Sequence, residues 1–460
     1  MAKEENISMT QDLTTGNITR KILLFALPLM LGNVLQQFYN LVDTLIVGRF
    51  LGSDALAAVG ASYTLMTFLT SILLGLCIGS SAYFAIQFGR GDANKLKTGI
   101  FLSFILIGVI AVLLNLFVFA KVDWIIKVLQ VPEKLWPSMR EYLIYVFGGI
   151  FAIFLYNYFA NLLRAIGNSL IPLIFLGVSV VLNIVLDTAF VVFFHWGIMG
   201  AAVATVISQY LSGIGLFIYC FVKCRELRPA REHMRWDGHV LHSIFQLSFL
   251  TCLQQSVMNF GILMVQGLVN SFGETVMAAF AVAVKIDTIA YMPVQDFGNA
   301  FSTFVAQNYG AGKRERIRQG IKKSIQGVIG FCVVISTFVC VFARQLMRIF
   351  VDADSGAVID VGVGYLRIEA VFYIGIGILF LLYGYYRAIE KPGMSLVLTI
   401  FSLGTRVLLA YTLSAVPAIG VTGIWVSIPI GWFLADAVGI GYYFFGRFKN
   451  DSLFYRHRQQ

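Results

Sequence analysis

Residues 31–48 read LGNVLQQFYNLVDTLIVG, and residues 20–30 before them read RKILLFALPLM. The flanks suit a lipid bilayer, yet the middle holds Asn33, Gln36, Gln37, Asn40 and Asp43. On a helix of about 3.6 residues per turn these five fall within an arc of about 120°, with Tyr39 on its flank. Lipid cannot satisfy such a stripe, so it must face protein or water. The stretch predicts a spanning helix that carries one polar face.

Similar apolar runs recur along the chain. Its 460 residues are 58% hydrophobic and 13% charged, and the mean hydropathy is +0.80. A soluble protein of this length needs far more polar surface. A helix crosses the hydrocarbon layer with about 20 apolar residues. Breaks at charged or Pro/Gly-rich stretches then give twelve spans, at 20–49, 55–88, 96–120, 136–164, 170–195, 198–223, 240–271, 276–309, 317–343, 357–387, 394–416 and 421–446. The first run is long and sits inside this pattern, so no cleavable signal peptide is expected.

The net charge of +10 is distributed by side. With twelve spans and both ends on one face, that face carries 24 Lys and Arg and the opposite face 7, the other 3 lying within spans or near their ends. The larger group includes Lys3, Arg20, Lys21, the 90–97 and 223–235 loops, residues 310–323 and the last fourteen residues. This split follows the positive-inside rule and predicts cytoplasmic termini in a cell inner (plasma) membrane. It argues against nucleic acid as a partner. The six cysteines read as packed free thiols, because four lie in apolar runs and Cys220 and Cys224 at a helix end.

The chain is written twice. A shift of 221 lays Gly52 on Gly273, Ser81 on Ser302, Gly89 on Gly310, Gly91 on Gly312 and Gly99 on Gly320. A shift of 223 matches RAI at 164–166 with RAI at 387–389, and the turn at Gly197 with that at Gly420. Shared glycines at turn positions predict the same backbone turns made twice. The fold class expected is all-α polytopic membrane protein, with twelve transmembrane helices in two pseudo-twofold-related six-helix lobes. The lobes would span 1–224 and 240–460, joined by a cytoplasmic linker at 225–239. Such a duplicated bundle with a central cavity is the shape expected of an alternating-access transporter.

The halves differ in their polar residues. Ser179, Asn183 and Asp187 are spaced by four in the fifth span, as are Thr205 and Gln209 in the sixth and Asn157 and Asn161 in the fourth. The first half carries no Lys or Arg well inside a span. Burial disfavours a charged carboxyl, and two acids on neighbouring spans titrate as a pair. Asp43 and Asp187 therefore suit the uptake and release of a proton, with Na⁺ the rival because carboxylate, amide and hydroxyl oxygens are hard ligands. The second copy puts Met264, Arg406 and Ala410 opposite Asp43, Asn183 and Asp187. That asymmetry favours a specialised first-half site over a polar pair that only glues helices. In the second half, Lys285, Asp287, Asp296, Arg406 and Asp436 have mixed signs, which suits structural salt bridges or the lining of a substrate cavity. Arg367 and Glu369 read as near the outer interface. Pro28 and Pro293 can bend their helices.

The stretch LQQFYNLVDTLIVGRFLGSDALAAVG at 35–60, FGRGD at 88–92, the two RAI loops and the N-x-x-x-D at 183–187 resemble the multidrug and toxic compound extrusion (MATE) transporters over residues 18–446. The resemblance implies two six-helix lobes forming a V, and export of drug-like organic compounds, often cationic, driven by inward H⁺ or Na⁺. It assigns cation coupling to Asp43, with Tyr39, Asn183, Asp187 and Thr205 as companions. The substrate cavity would draw on Gln36, Gln37, Asn40, Asn157, Gln209, Lys285, Asp296 and Arg406. Members that couple Na⁺ through the second lobe use acids in helices seven and ten. Here helix seven offers Gln254 and Gln255, and IGIGILFLLYGYY at 374–386 has no acid, which argues against that mode.

The expected function is a secondary antiporter, working as a monomer in the bilayer without a cofactor, H⁺ or Na⁺ being the coupling ion. The alternative is a flippase for lipid-linked saccharides, which calls for a more basic cavity than Lys285 and Arg406 provide. A membrane enzyme is disfavoured, because the histidines sit in loops or near span ends. ATP-driven pumping is disfavoured because GAGKRE at 310–315 has Gln307 and Arg314 where a phosphate loop needs Gly and Ser or Thr.

Overall fold

The computed structural model describes residues 11–128, 133–351 and 355–457; Lys3 and the last three residues of the chain lie outside these. The first six spans are α1 (Ile18–Leu51), α2 (Ser53–Arg90), α3 (Ala93–Val128), a broken span of α4 (Trp136–Phe147) and α5 (Ile150–Ala165), α6 (Leu170–Asp187) and α7 (Gly197–Lys223). The second six are α8 (Gly238–Asn270), α9 (Glu274–Gly310), α10 (Arg314–Arg348), a broken span of α11 (Gly356–Val371) and α12 (Tyr373–Ala388), α13 (Pro392–Ser414) and α14 (Thr422–His457). Ten of the described helices can cross a membrane singly, and counting each bent pair as one span gives twelve.

The duplication is visible in the backbone. Positive φ recurs at matched turn positions: 88° and 97° at Gly52 and Gly273, 73° and 70° at Gly91 and Gly312, and 62° and 54° at Gly197 and Gly420. Gly167, at 88°, is matched 223 residues later by Glu390 at 60°. A turn that demands left-handed backbone is easiest with glycine, so the sequence match reflects a shared local geometry.

The fourth span of each half is also broken, which hydropathy conceals. α4 and α5 meet at 43°, and α11 and α12 at 54°. The Gly148–Gly149 pair marks the first break, and adding 223 to 148 and 149 gives Val371 and Phe372, where the second falls. A break frees carbonyls that lipid cannot satisfy. Two side chains take them up: Asn115 donates to the Phe147 carbonyl at 2.7 Å, and Tyr210 to that of Gly148 at 3.0 Å.

The chain forms two compact units by the proximity of its helices. Of the described residues, the first takes those up to Leu253 together with Ala306–Arg314, and the second holds Gln254–Val305 and those from Glu315 on. Close helix approach explains the first unit's extent. A Cβ added at Gly75 or Gly79 of α2 would lie 2.6 Å from Cys252 Cα or 2.4 Å from Ser248 Cα, and one at Gly89 would lie 2.0 Å from the Gln307 carbonyl oxygen. Small residues allow such contact between membrane helices, and Ser80 and Ser248 share a hydroxyl bond of 2.8 Å there.

In the second unit, α10 shows how each long helix divides its faces. Ile317, Gly320, Ser324, Val328 and Cys332 are buried at three- to four-residue spacing, while Val333, Val334, Phe338 and Val341 are exposed. The outward face is apolar, as a lipid-facing surface requires.

Candidate functional site

The polar residues of the first unit converge on a cavity of about 420 Å³. Helical periodicity places them. Ser179, Asn183 and Asp187 stack along one face of α6 and are 9%, 1% and 0% exposed. α1 turns Gln36, Tyr39, Asn40 and Asp43 toward them, α7 adds Thr205 and Gln209, and α5 adds Asn157. Among the described residues that line it, none is Lys, Arg or His.

Asp43 lines the cavity; Asp187 is not among the described lining residues and is fully buried, with its carboxyl group within hydrogen-bonding reach of that of Asp43. The Oδ1 atom of each is buried and accepts from no donor among the described residues. Asn183 fits its surroundings with its amide nitrogen turned to Asp187: it then donates to Asp187 Oδ2 at 2.8 Å and accepts from the Thr205 backbone nitrogen at 3.2 Å. Tyr39 and Thr205 share a hydroxyl bond of 3.1 Å, which ties α1 to α7. Two facing oxygen-only groups need a proton or a cation between them, since negative charge left uncompensated out of water is costly.

Directly after Asp187 the helix widens into a π-helical turn, Thr188–Phe193. Such turns often sit at functional sites. The turn is held by stacking of Phe190 on Trp196, with ring centroids 4.6 Å apart. Nothing in the run TAFVVF announces it.

The cavity gathers Gln36, Asn40, Asn157 and Gln209 as expected, and Gln209 Oε1 is a buried acceptor without a partner among the described residues. It does not gather Gln37, which is exposed because it falls on the outer side of α1. Lys285, Asp296 and Arg406 do not line it either; they belong to the second unit. Sequence reasoning missed Tyr63, Tyr142 and Tyr156, which add aromatic walls from α2, α4 and α5. In apolar spans a tyrosine facing a cavity reads like one facing lipid.

The second unit holds its own buried polar cluster. Asp287 accepts from Tyr373 at 2.7 Å and from Tyr365 at 3.3 Å. Glu369, expected near the outer interface, is 0% exposed, and neither of its carboxyl oxygens has a partner among the described residues. It shares a face of α11 with Tyr365, four residues earlier, which is buried and donates to Asp287.

Comparison with known proteins agrees with this architecture. The family described as MatE matches residues 28–189 and again 247–412, once in each half. The probable multidrug resistance protein YpnP of Bacillus subtilis (strain 168) is 31% identical over 448 residues, covering 96% of this chain and 98% of that protein. The probable multidrug resistance protein NorM of Thermotoga maritima is 24% identical over 453 residues, covering 96% and 95%. A solved structure described as MATE in complex with MaL6 superposes with a TM-score of 0.89 at 23% identity, over 98% of this chain and 99% of that one. Matched by the family twice over and by a relative along nearly its whole length, the chain belongs to the MatE family of membrane transporters.

Proposed function

We propose that the protein exports organic compounds, often cationic, in exchange for H⁺ or Na⁺, and that Asp43 and Asp187 form the coupling site. The observation that carries this reading is the facing carboxyl pair, of which Asp43 lines a cavity with no basic residue among its described lining and Asp187 is buried beside it. A monovalent cation or a proton is what such a pair lacks. Filling it removes one of the pair's negative charges and so weakens its hold on an organic cation. A ligand shifts a conformational equilibrium only through its differential affinity for the two states, and α1 is the element placed to respond. It carries Asp43, is tied to α7 through Tyr39, and has Pro28 within it.

The names of the relatives support a drug-like cargo, and the aromatic walls of the cavity suit flat organic molecules. The Lys and Arg bias supports cytoplasmic termini. A flippase for lipid-linked saccharides would want cations to hold a pyrophosphate, and the cavity lining contains none. The test is efflux of ethidium from energised vesicles. Asp43→Asn should abolish gradient-driven efflux, and undiminished efflux would remove the coupling assignment.

A further inference from the structure

The segment before α1 reads QDLTTGN at 11–17. It is not a loose tail. Leu13 is 0% exposed, as are Gln307 and Asn308 at the end of α9. Leu13 N donates to Gln307 Oε1 at 3.1 Å, and Asn308 Nδ2 donates back to the Leu13 carbonyl at 3.2 Å. Gln307 Nε2 reaches on to the Ala165 carbonyl at the end of α5, at 2.8 Å. Gln11 N donates to the Gly167 carbonyl in the α5–α6 turn at 3.2 Å. Lys313 Nζ donates to the Thr14 carbonyl at 2.8 Å and to Thr14 Oγ1 at 3.1 Å.

Two further features make this a built seat. A Cβ at Gly167 would lie 2.0 Å from the Gln11 carbonyl oxygen, so only glycine there admits the segment. Within the segment, Asp12 accepts from Thr14 N at 2.8 Å and from Thr15 Oγ1 at 3.1 Å, which fixes its turn. Asn17 then caps α1 by accepting from Arg20 N at 3.1 Å. The seated segment therefore continues directly into the helix that bears Asp43.

We propose that residues 11–17 form a strap that clamps the ends of α5, α6 and α9 together and must undock in each transport cycle. All of the seat lies within the first compact unit. A path opening toward this face between those helix ends requires Leu13 to leave its site. The bonds that hold it are reversible polar contacts around one apolar anchor, so undocking breaks no covalent or membrane-buried link. Movement of the strap would also reset the start of α1.

The inference rests on the transport reading for its trigger, and the test separates the two. Leu13→Cys is labelled with a hydrophilic maleimide in proteoliposomes, at rest and during ethidium efflux. The strap reading expects labelling at least about tenfold faster during efflux. Equal rates in the two conditions, slow or fast, would overturn it. In a second arm, Thr14→Cys and Lys313→Cys are bridged with a short bis-thiosulfonate. Ethidium efflux should fall at least about tenfold and return on reduction, with each single-cysteine protein and the unaltered chain (which has six cysteines) treated identically. Full efflux in the bridged protein sinks the strap; absence of efflux in the unbridged proteins counts against the transport reading instead.

Discussion

Asp187→Asn isolates the chemistry of the acid pair. Asparagine keeps the shape of the side chain, so the stack with Asn183 and the contact with α1 persist. What disappears is one of two facing carboxyl groups. The pair needs one proton or cation between its oxygens, so the smallest exchange it supports is one coupling ion for one monovalent cargo. One pH unit is worth about 1.4 kcal/mol per proton, which corresponds to about a tenfold concentration ratio. Where H⁺ is the coupling ion, vesicles with an imposed gradient of about one unit should concentrate ethidium about tenfold, or about a hundredfold if both carboxyls exchange. Asp187→Asn should relax the ratio to one, with ethidium still crossing slowly down its own gradient. The assay is the steady-state internal ethidium signal, calibrated after collapse of the gradient. A variant that still concentrates ethidium tenfold would refute the reasoning, and an unaltered protein that responds only to a Na⁺ gradient would assign the pair to Na⁺.

Other measurements probe the supporting structure. The Tyr39–Thr205 bond is 3.1 Å long and joins α1 to α7; a double-mutant cycle of Tyr39→Phe and Thr205→Val, read by thermal unfolding in detergent, should give a coupling of about 0.5–1.5 kcal/mol, and additivity would argue against the link. Gly89→Ala forces a Cβ to 2.0 Å from a backbone oxygen, whereas nothing lies within 4 Å of a Cβ at Gly330. The first change should cost about 1–3 kcal/mol and lower the unfolding midpoint, the second should not, and equal midpoints would contradict the packing. Outside the membrane, burial works against the charge on Asp12, but hydrogen bonds from Thr14 and Thr15 and the nearby Lys313 charge prevail and hold its carboxyl below the usual range. Its support for the strap is therefore complete at neutral pH and fades only as pH falls through the depressed value. Labelling of Leu13→Cys at rest, divided by that of a free thiol at the same pH because the thiolate is what reacts, should stay flat from about pH 8 down to about pH 5 and rise below about pH 4, whereas a rise near pH 7 would point to another group.

Much of the fold was legible because membrane physics leaves few choices. Twelve apolar runs required twelve spans, and Gly52, Gly91 and Gly197 recur where their partners also take positive φ. The heart of the site was legible for a related reason: the spacing by four of Ser179, Asn183 and Asp187 can serve only a protein- or water-facing stripe. What escaped was set by tertiary contact. The break at Phe372 has neither proline nor glycine to announce it, although the repeat register with Gly148–Gly149 was available. The π-helical turn after Asp187 arises in ordinary apolar sequence. Glu369 looked peripheral because it follows Arg367, and its burial comes with the packing of α11 against α14. Leu13 gave the faintest signal of all, one apolar residue in a polar segment.

The central claim is that cargo and coupling ion compete for the Asp43–Asp187 pair, and counting ions released on binding tests it most directly. Ethidium is added to purified protein in weakly buffered detergent solution, with pH and free Na⁺ followed together. The account predicts that at least one proton or one Na⁺ leaves per ethidium bound, and that Asp43→Asn releases none while Glu369→Gln behaves like the unaltered protein. Release that persists in Asp43→Asn, or binding accompanied by no release at all, would contradict it.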